Sequence, residues 1–85
     1  MIVRVVEATV CGPRLLRLTF NDGIRKTVDV SPLLVGPIFE PLRDSEYFSQ
    51  GKVDAVCGTV VWPNGADFAP DALRDLISIE QSSVA

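Results

Sequence analysis

The chain of 85 residues contains no histidine, which removes every mechanism that relies on an imidazole as base, proton relay or metal ligand. Cysteine is scarce: Cys11 and Cys57 lie far apart and outside any C-x-x-C, too few soft ligands for a tetrahedral zinc site. Their positions leave pairing open. Because no basic-then-apolar leader opens the chain, the expectation is two reduced thiols in a cytoplasmic protein. No apolar run approaches the roughly 20 residues of a membrane-spanning helix. The glycine patterns that cradle phosphates or dinucleotides, G-x-x-x-x-G-K-S/T and G-x-G-x-x-G, are missing, and so is the G-x-S-x-G of a serine nucleophile.

What is present is core-forming material. Hydrophobic residues make up 47% of the chain, too many for a disordered segment. A chain this short supports one small core and no second domain. The expected organisation is a single α+β domain over residues 1–79 and a frayed tail over 80–85. The net charge of −3 is unevenly spread. Residues 1–30 carry five basic groups against three acids, and residues 31–85 carry three against eight. An acidic balance is wrong for a protein that binds nucleic acid with its whole surface.

Residues 2–10 (IVRVVEATV) are rich in β-branched side chains and read as a strand with apolar residues on both faces. Cys11-Gly12-Pro13 ends it. The segment 14–30 reads as a hairpin. Leu16, Leu18 and Phe20 alternate with Arg17 and Thr19, and Ile24, Val28 and Val30 alternate with Arg25, Thr27 and Asp29. A two-residue turn at Asp22-Gly23 would set Phe20 opposite Arg25. A loop of Asn21, Asp22 and Gly23 instead pairs Phe20 with Ile24 and Leu16 with Val28, so it is preferred, with Gly23 in the left-handed conformation. Lys26 then falls on the apolar face and must snorkel at an edge.

Ser31-Pro32 opens one helical turn at most, and Pro41 bars a long helix after it. Asp44-Ser45 is placed to cap a short helix that runs toward Gly51, with Tyr47 and Phe48 facing the core. Residues 53–56 and 59–62 read as a second hairpin joined by Cys57-Gly58. Pro63-Asn64-Gly65 turns the chain after Trp62. A last helix begins around Asp67-Phe68-Ala69-Pro70, with Asp71 in its first turn and an apolar face of Leu73, Leu76 and Ile77. The predicted fold class is therefore α+β: a small twisted antiparallel sheet of two hairpins plus the N-terminal strand, with short helices and a C-terminal helix.

Chemistry-bearing residues are few. Neither cysteine has a histidine to take its proton, so both read as structural thiols. Asp67, Asp71 and Asp75 share a four-residue spacing and, with Asn64, offer oxygen ligands of the kind that bind Ca²⁺ or Mg²⁺. The spacing matches no dedicated calcium loop, and acids at a helix start need no metal. No metal site or cofactor is assigned. Arg17 and Arg25, interleaved with Thr19 and Thr27, line the outer face of the first hairpin. That face suits phosphates but has no aromatic residue on which a base would stack.

One set of residues goes further: Leu18-x-Phe20-x-Asp22-Gly23, Val28-Asp29-Val30, Phe39-x-Pro41-Leu42-Arg43-Asp44, Phe48, and above all Gly58-Thr59-Val60-Val61-Trp62-Pro63-Asn64-Gly65-x-Asp67-x-Ala69-Pro70-x-x-Leu73. In that order and spacing, over about residues 2–77, the chain resembles the short bacterial proteins called domain of unknown function 2442. The resemblance implies a small α+β fold without an established enzymatic activity. Some members resemble antitoxin-like partners of a small toxin-like protein, and longer ones continue into a helix-turn-helix domain that this chain, ending at Ala85, does not include. The expectation is a cytoplasmic, non-enzymatic protein-interaction domain whose partner is a small toxin-like protein or a second copy joined through a sheet edge. Arg17, Arg25, Trp62, Asn64 and Asp67 are the candidate contact residues. The alternatives are a regulatory module that binds nucleic acid through the Arg17/Arg25 face, and a small-ligand or metal-binding domain that uses Asn64, Asp67 and Asp71.

Overall fold

The computed structural model describes residues 2–79. Strands Val5–Gly12 (β1), Leu15–Phe20 (β2) and Arg25–Asp29 (β3) form an antiparallel sheet in the order β1-β2-β3. Two 3-10 segments follow, Ser31–Leu33 and Pro37–Arg43, and then the one-turn helix Ser45–Phe48 (α1). Strands Lys52–Asp54 (β4) and Thr59–Val61 (β5) make a second, two-stranded antiparallel sheet, and helix Pro70–Asp75 (α2) comes last. This is a small α+β fold. The expected tail, 80–85, lies outside the described residues.

The β2–β3 hairpin has the predicted register, with Leu16 opposite Val28, Arg17 opposite Thr27 and Thr19 opposite Arg25. Its loop is Asn21-Asp22-Gly23. The amide of Phe20 donates to the carbonyl of Ile24, that of Gly23 donates to the carbonyl of Phe20, and Gly23 has φ 87°. The apolar face of this hairpin supplies Leu16, Leu18, Phe20 and Val28 to the core, all buried. Phe48, Leu42, Val60, Trp62, Phe68 and Leu73 from the second half complete the same cluster, so both sheets share one core.

The first strand differs from its expected form. It extends through Gly12, and the turn falls on Pro13-Arg14 with Arg14 at φ 62°. Its pairing with β2 runs Val5 to Phe20 but Glu7 to Thr19, a register shift that leaves Val6 as an extra residue. A bulge of this kind switches the side-chain alternation. Val5, Ala8 and Val10 consequently share the core-facing side, opposite Phe20, Leu18 and Leu16, while Val6 stays exposed. The mixed pattern of residues 2–10 therefore reflects an inserted residue, and the strand is not covered on both faces.

The second hairpin is shorter than expected. The Asp54 carboxylate accepts from the amides of Val56 and Cys57, and its carbonyl accepts from the amide of Gly58. These bonds turn the chain at Asp54, so the loop is Ala55–Gly58 and Val56 is 89% exposed.

Helix α2 also stops early. Lys26 does not snorkel to solvent. Half-buried, it donates from Nζ to the carbonyls of Arg74 and Leu76. Occupying the last carbonyls with an ammonium ends the helix and favours the negative pole of its dipole. Leu73 is buried as predicted, but Leu76 is already in an extended conformation and Ile77 is 86% exposed, so the expected apolar face does not reach Ile77. Residues 77–79 run back to the first sheet, where the amide of Ile79 donates to the carbonyl of Thr27 at 2.6 Å.

Candidate functional site

The most distinctive run, Trp62 to Asp67, is built by short-range hydrogen bonds. The amide of Gly65 donates to the carbonyl of Trp62, that of Trp62 donates to the carbonyl of Ala66, and Gly65 takes φ 89°. Asn64 accepts at Oδ1 from the amide of Ala66 and donates from Nδ2 to the carbonyl of Ile38, which ties this turn to the second 3-10 segment. The Trp62 ring is 3% exposed. Its Nε1 donates to the carbonyl of Phe48 at 2.8 Å, and the ring stacks on Phe48 and meets Phe68 edge-on, both at 5.4 Å between centroids. Phe39 stacks on Phe68 in turn. Buried Thr59 donates its hydroxyl to the carbonyl of Phe68. The indole is thus a packing centre with its one donor satisfied, and a partner reaching this tip meets Pro63, Asn64 and Gly65, which are exposed.

Asp67 is exposed and forms an isolated antiparallel bridge with Val61 ahead of α2. It therefore does not share a helix face with Asp71 and Asp75, which are one turn apart on α2. Among the described residues no group of three or more His, Cys, Asp or Glu side chains is arranged to hold a metal ion. Cys11 and Cys57 are free and exposed.

Arg17 and Arg25 are exposed on adjacent strands, on the outer face of the first sheet, with Thr9, Thr19 and Thr27 opposite or beside them. Glu7, opposite Thr19, shares that face. Trp62 and the Asn64 turn belong to the other sheet and its following loop, so the structure does not gather the five candidate contact residues into one patch.

Two carboxyls are held below the usual range. The Arg74 guanidinium, bonded to Asp22 at 2.7 Å, is the main cause for Asp22, helped by the amide of Ile24. The hydroxyl and amide of Ser31 do the same for Asp29, with Arg14 adding a favourable charge. Arg74 also lies 5.0 Å over the Phe20 ring. Asp22 serves a turn and an ion pair, and Asp29 serves a turn.

Sequence reasoning missed the groove that opens beside β3. It has a volume of about 450 Å³, with Pro32, Leu76, Ile77 and Ile79 forming apolar walls between Asp29 and Asp75. Its lining residues come together only through the early end of α2, where Lys26, which does not itself line the groove, holds the carbonyls of Arg74 and Leu76. No helix of the described residues is long and apolar enough to cross a membrane.

No curated protein and no solved structure gives a significant match to the chain. Residues 5–78 match the family described as protein of unknown function (DUF2442), a span that includes the β2–β3 hairpin, the Trp62 turn and α2. The chain belongs to that family.

Proposed function

We propose that this protein is a non-catalytic, cytoplasmic protein-interaction domain, the antitoxin-like half of a small bacterial pair whose other half is basic and toxin-like. The observation that supports this most is the state of the acidic residues in the second half. Asp67, Asp71 and Asp75 are all exposed, and none takes part in an ion pair among the described residues, where the two present are Arg43–Glu40 and Arg74–Asp22. Asp75 also lines the apolar groove. Unneutralised charge of one sign next to an apolar recess fits a basic protein surface, which it would steer toward contact.

Co-expression with the product of the adjacent gene, followed by pull-down, tests the reading. A recovered complex, rescue of growth, and loss of both on Asp71→Lys with Asp75→Lys are expected. No complex and no rescue with the unaltered chain overturns it. A phosphate-binding role for Arg17 and Arg25 is the weaker reading, because Glu7 shares their face.

A further inference from the structure

The free edge of β3 has a direction that the hydrogen bonds define. The carbonyl of Ile24 faces β2, since it accepts from Phe20. In an antiparallel ladder the amide and carbonyl of one residue point the same way, and successive residues alternate. The amides and carbonyls of Arg25, Thr27 and Asp29 therefore point away from the sheet. Among the described residues one backbone bond is made to this edge, from the amide of Ile79 to the carbonyl of Thr27.

The segment making that bond is tied firmly at one end and lightly at the other. At its start, Lys26 holds the carbonyls of Arg74 and Leu76, and Arg74 is paired with Asp22. Beyond Leu76, Ile77 is 86% and Ile79 38% exposed, and the groove of about 450 Å³ separates the segment from Pro32 at the Asp29 end of the strand. An exposed strand edge is a template for another strand, and natural sheets cover such edges.

We propose that residues 76–79 are a removable guard on the β3 edge, and that the occupant they exclude is the same edge of a second copy of this chain. The strand is self-complementary. Turned antiparallel about Thr27, Arg25-Lys26-Thr27-Val28-Asp29 sets Arg25 opposite Asp29 of the second copy, twice, and Lys26 opposite Val28. Arg25 and Asp29 share the outer face of the sheet, so each guanidinium meets a carboxylate across the junction and no like charges are opposed. Asp29 accepts from Ser31, at Oδ1 from its amide, and a carboxylate with about four lone-pair sites has acceptor capacity left for the arginine. The product is one continuous antiparallel sheet through both copies. This goes beyond the hetero-partner reading, which places its contact on Asp67, Asp71 and Asp75.

Analytical ultracentrifugation of the full chain decides it. Ile79→Pro removes the guarding amide, worth about one hydrogen bond, and is expected to raise the dimerisation constant by up to about tenfold. Lys26→Gln loosens the guard from its other end, keeps the Ile79 amide, and is expected to act in the same direction. Adding Arg25→Glu to either variant sets a glutamate against Asp29 and is expected to return the monomer. If a variant with the wild-type circular dichroism stays as monomeric as the parent, the proposal fails. It fails equally if the dimer survives Arg25→Glu, because the register is then wrong. The hetero-partner pull-down, read with Asp71→Lys and Asp75→Lys, succeeds or fails separately.

Discussion

Gly51 lies against the face of the Trp62 indole: a Cβ built on it would come within 2.6 Å of the ring. The ring has no room to yield, since Phe48 stacks on it, Phe68 meets its edge and Nε1 is bonded to the carbonyl of Phe48. Overpacking a filled core costs about 1–3 kcal/mol. Gly51→Ala is expected to lower the urea unfolding free energy by that amount with little change in slope. At this scale the sequence was informative wherever a residue acts on near neighbours. Gly23, Gly65 and Asn64 are used in turns, and Trp62 ends its strand over the core. That Gly51 serves as the seat of Trp62 is not legible, because it depends on the β4–β5 register, Lys52 opposite Val61, which the turn at Asp54 sets and the expected Cys57-Gly58 turn does not.

The β2–β3 hairpin is legible to its register because strand alternation and the Asn21-Asp22-Gly23 loop point to one pairing. The β1–β2 turn is less so. Pro13 favours the first central position, but the second holds Arg14 at φ 62°, where glycine or asparagine is usual. The Nε of Arg14 is also buried without a partner. Arg14→Gly is expected to raise the midpoint of unfolding, with a gain of about 1 kcal/mol from relieving the left-handed strain. The bulge at Val6 is invisible locally, since pairing with Phe20 and Thr19 decides which residue is the extra one. Helix α2 likewise looks longer in sequence than it is. Its end is set by Lys26, which lies 50 residues from Leu76 along the chain.

Across the whole molecule, the absence of histidine leaves no side chain with an ordinary pKa between about 5 and 8, so stability is expected to stay level over that range. The acid limb belongs to carboxylates such as Asp22 and Asp29, held below their usual values by Arg74 and Ser31. A group lowered in the folded state contributes stability that is fully present above its unfolded pKa, near 4, and lost as pH falls through the folded value. Thermal melts between pH 2 and 7 should therefore show stability declining below about pH 4. Asp22→Asn, which keeps the oxygen facing Ile24 and removes the ion pair with Arg74, should make that decline shallower. An unchanged acid limb would show that the Asp22–Arg74 pair does not contribute.

The sequence by itself determined the α+β class, the β2–β3 register, the Trp62 turn and the family, because each rests on contacts among residues close along the chain or on a run of motif residues. Tertiary structure alone decided where β1 inserts its extra residue, where α2 ends, and that residues 76–79 return to the edge of β3. Those outcomes depend on partners far apart in sequence: Val5 with Phe20, Lys26 with Leu76, Thr27 with Ile79. Periodicity within one segment carries no record of such meetings, since it reports which face a side chain prefers and not what will lie against it.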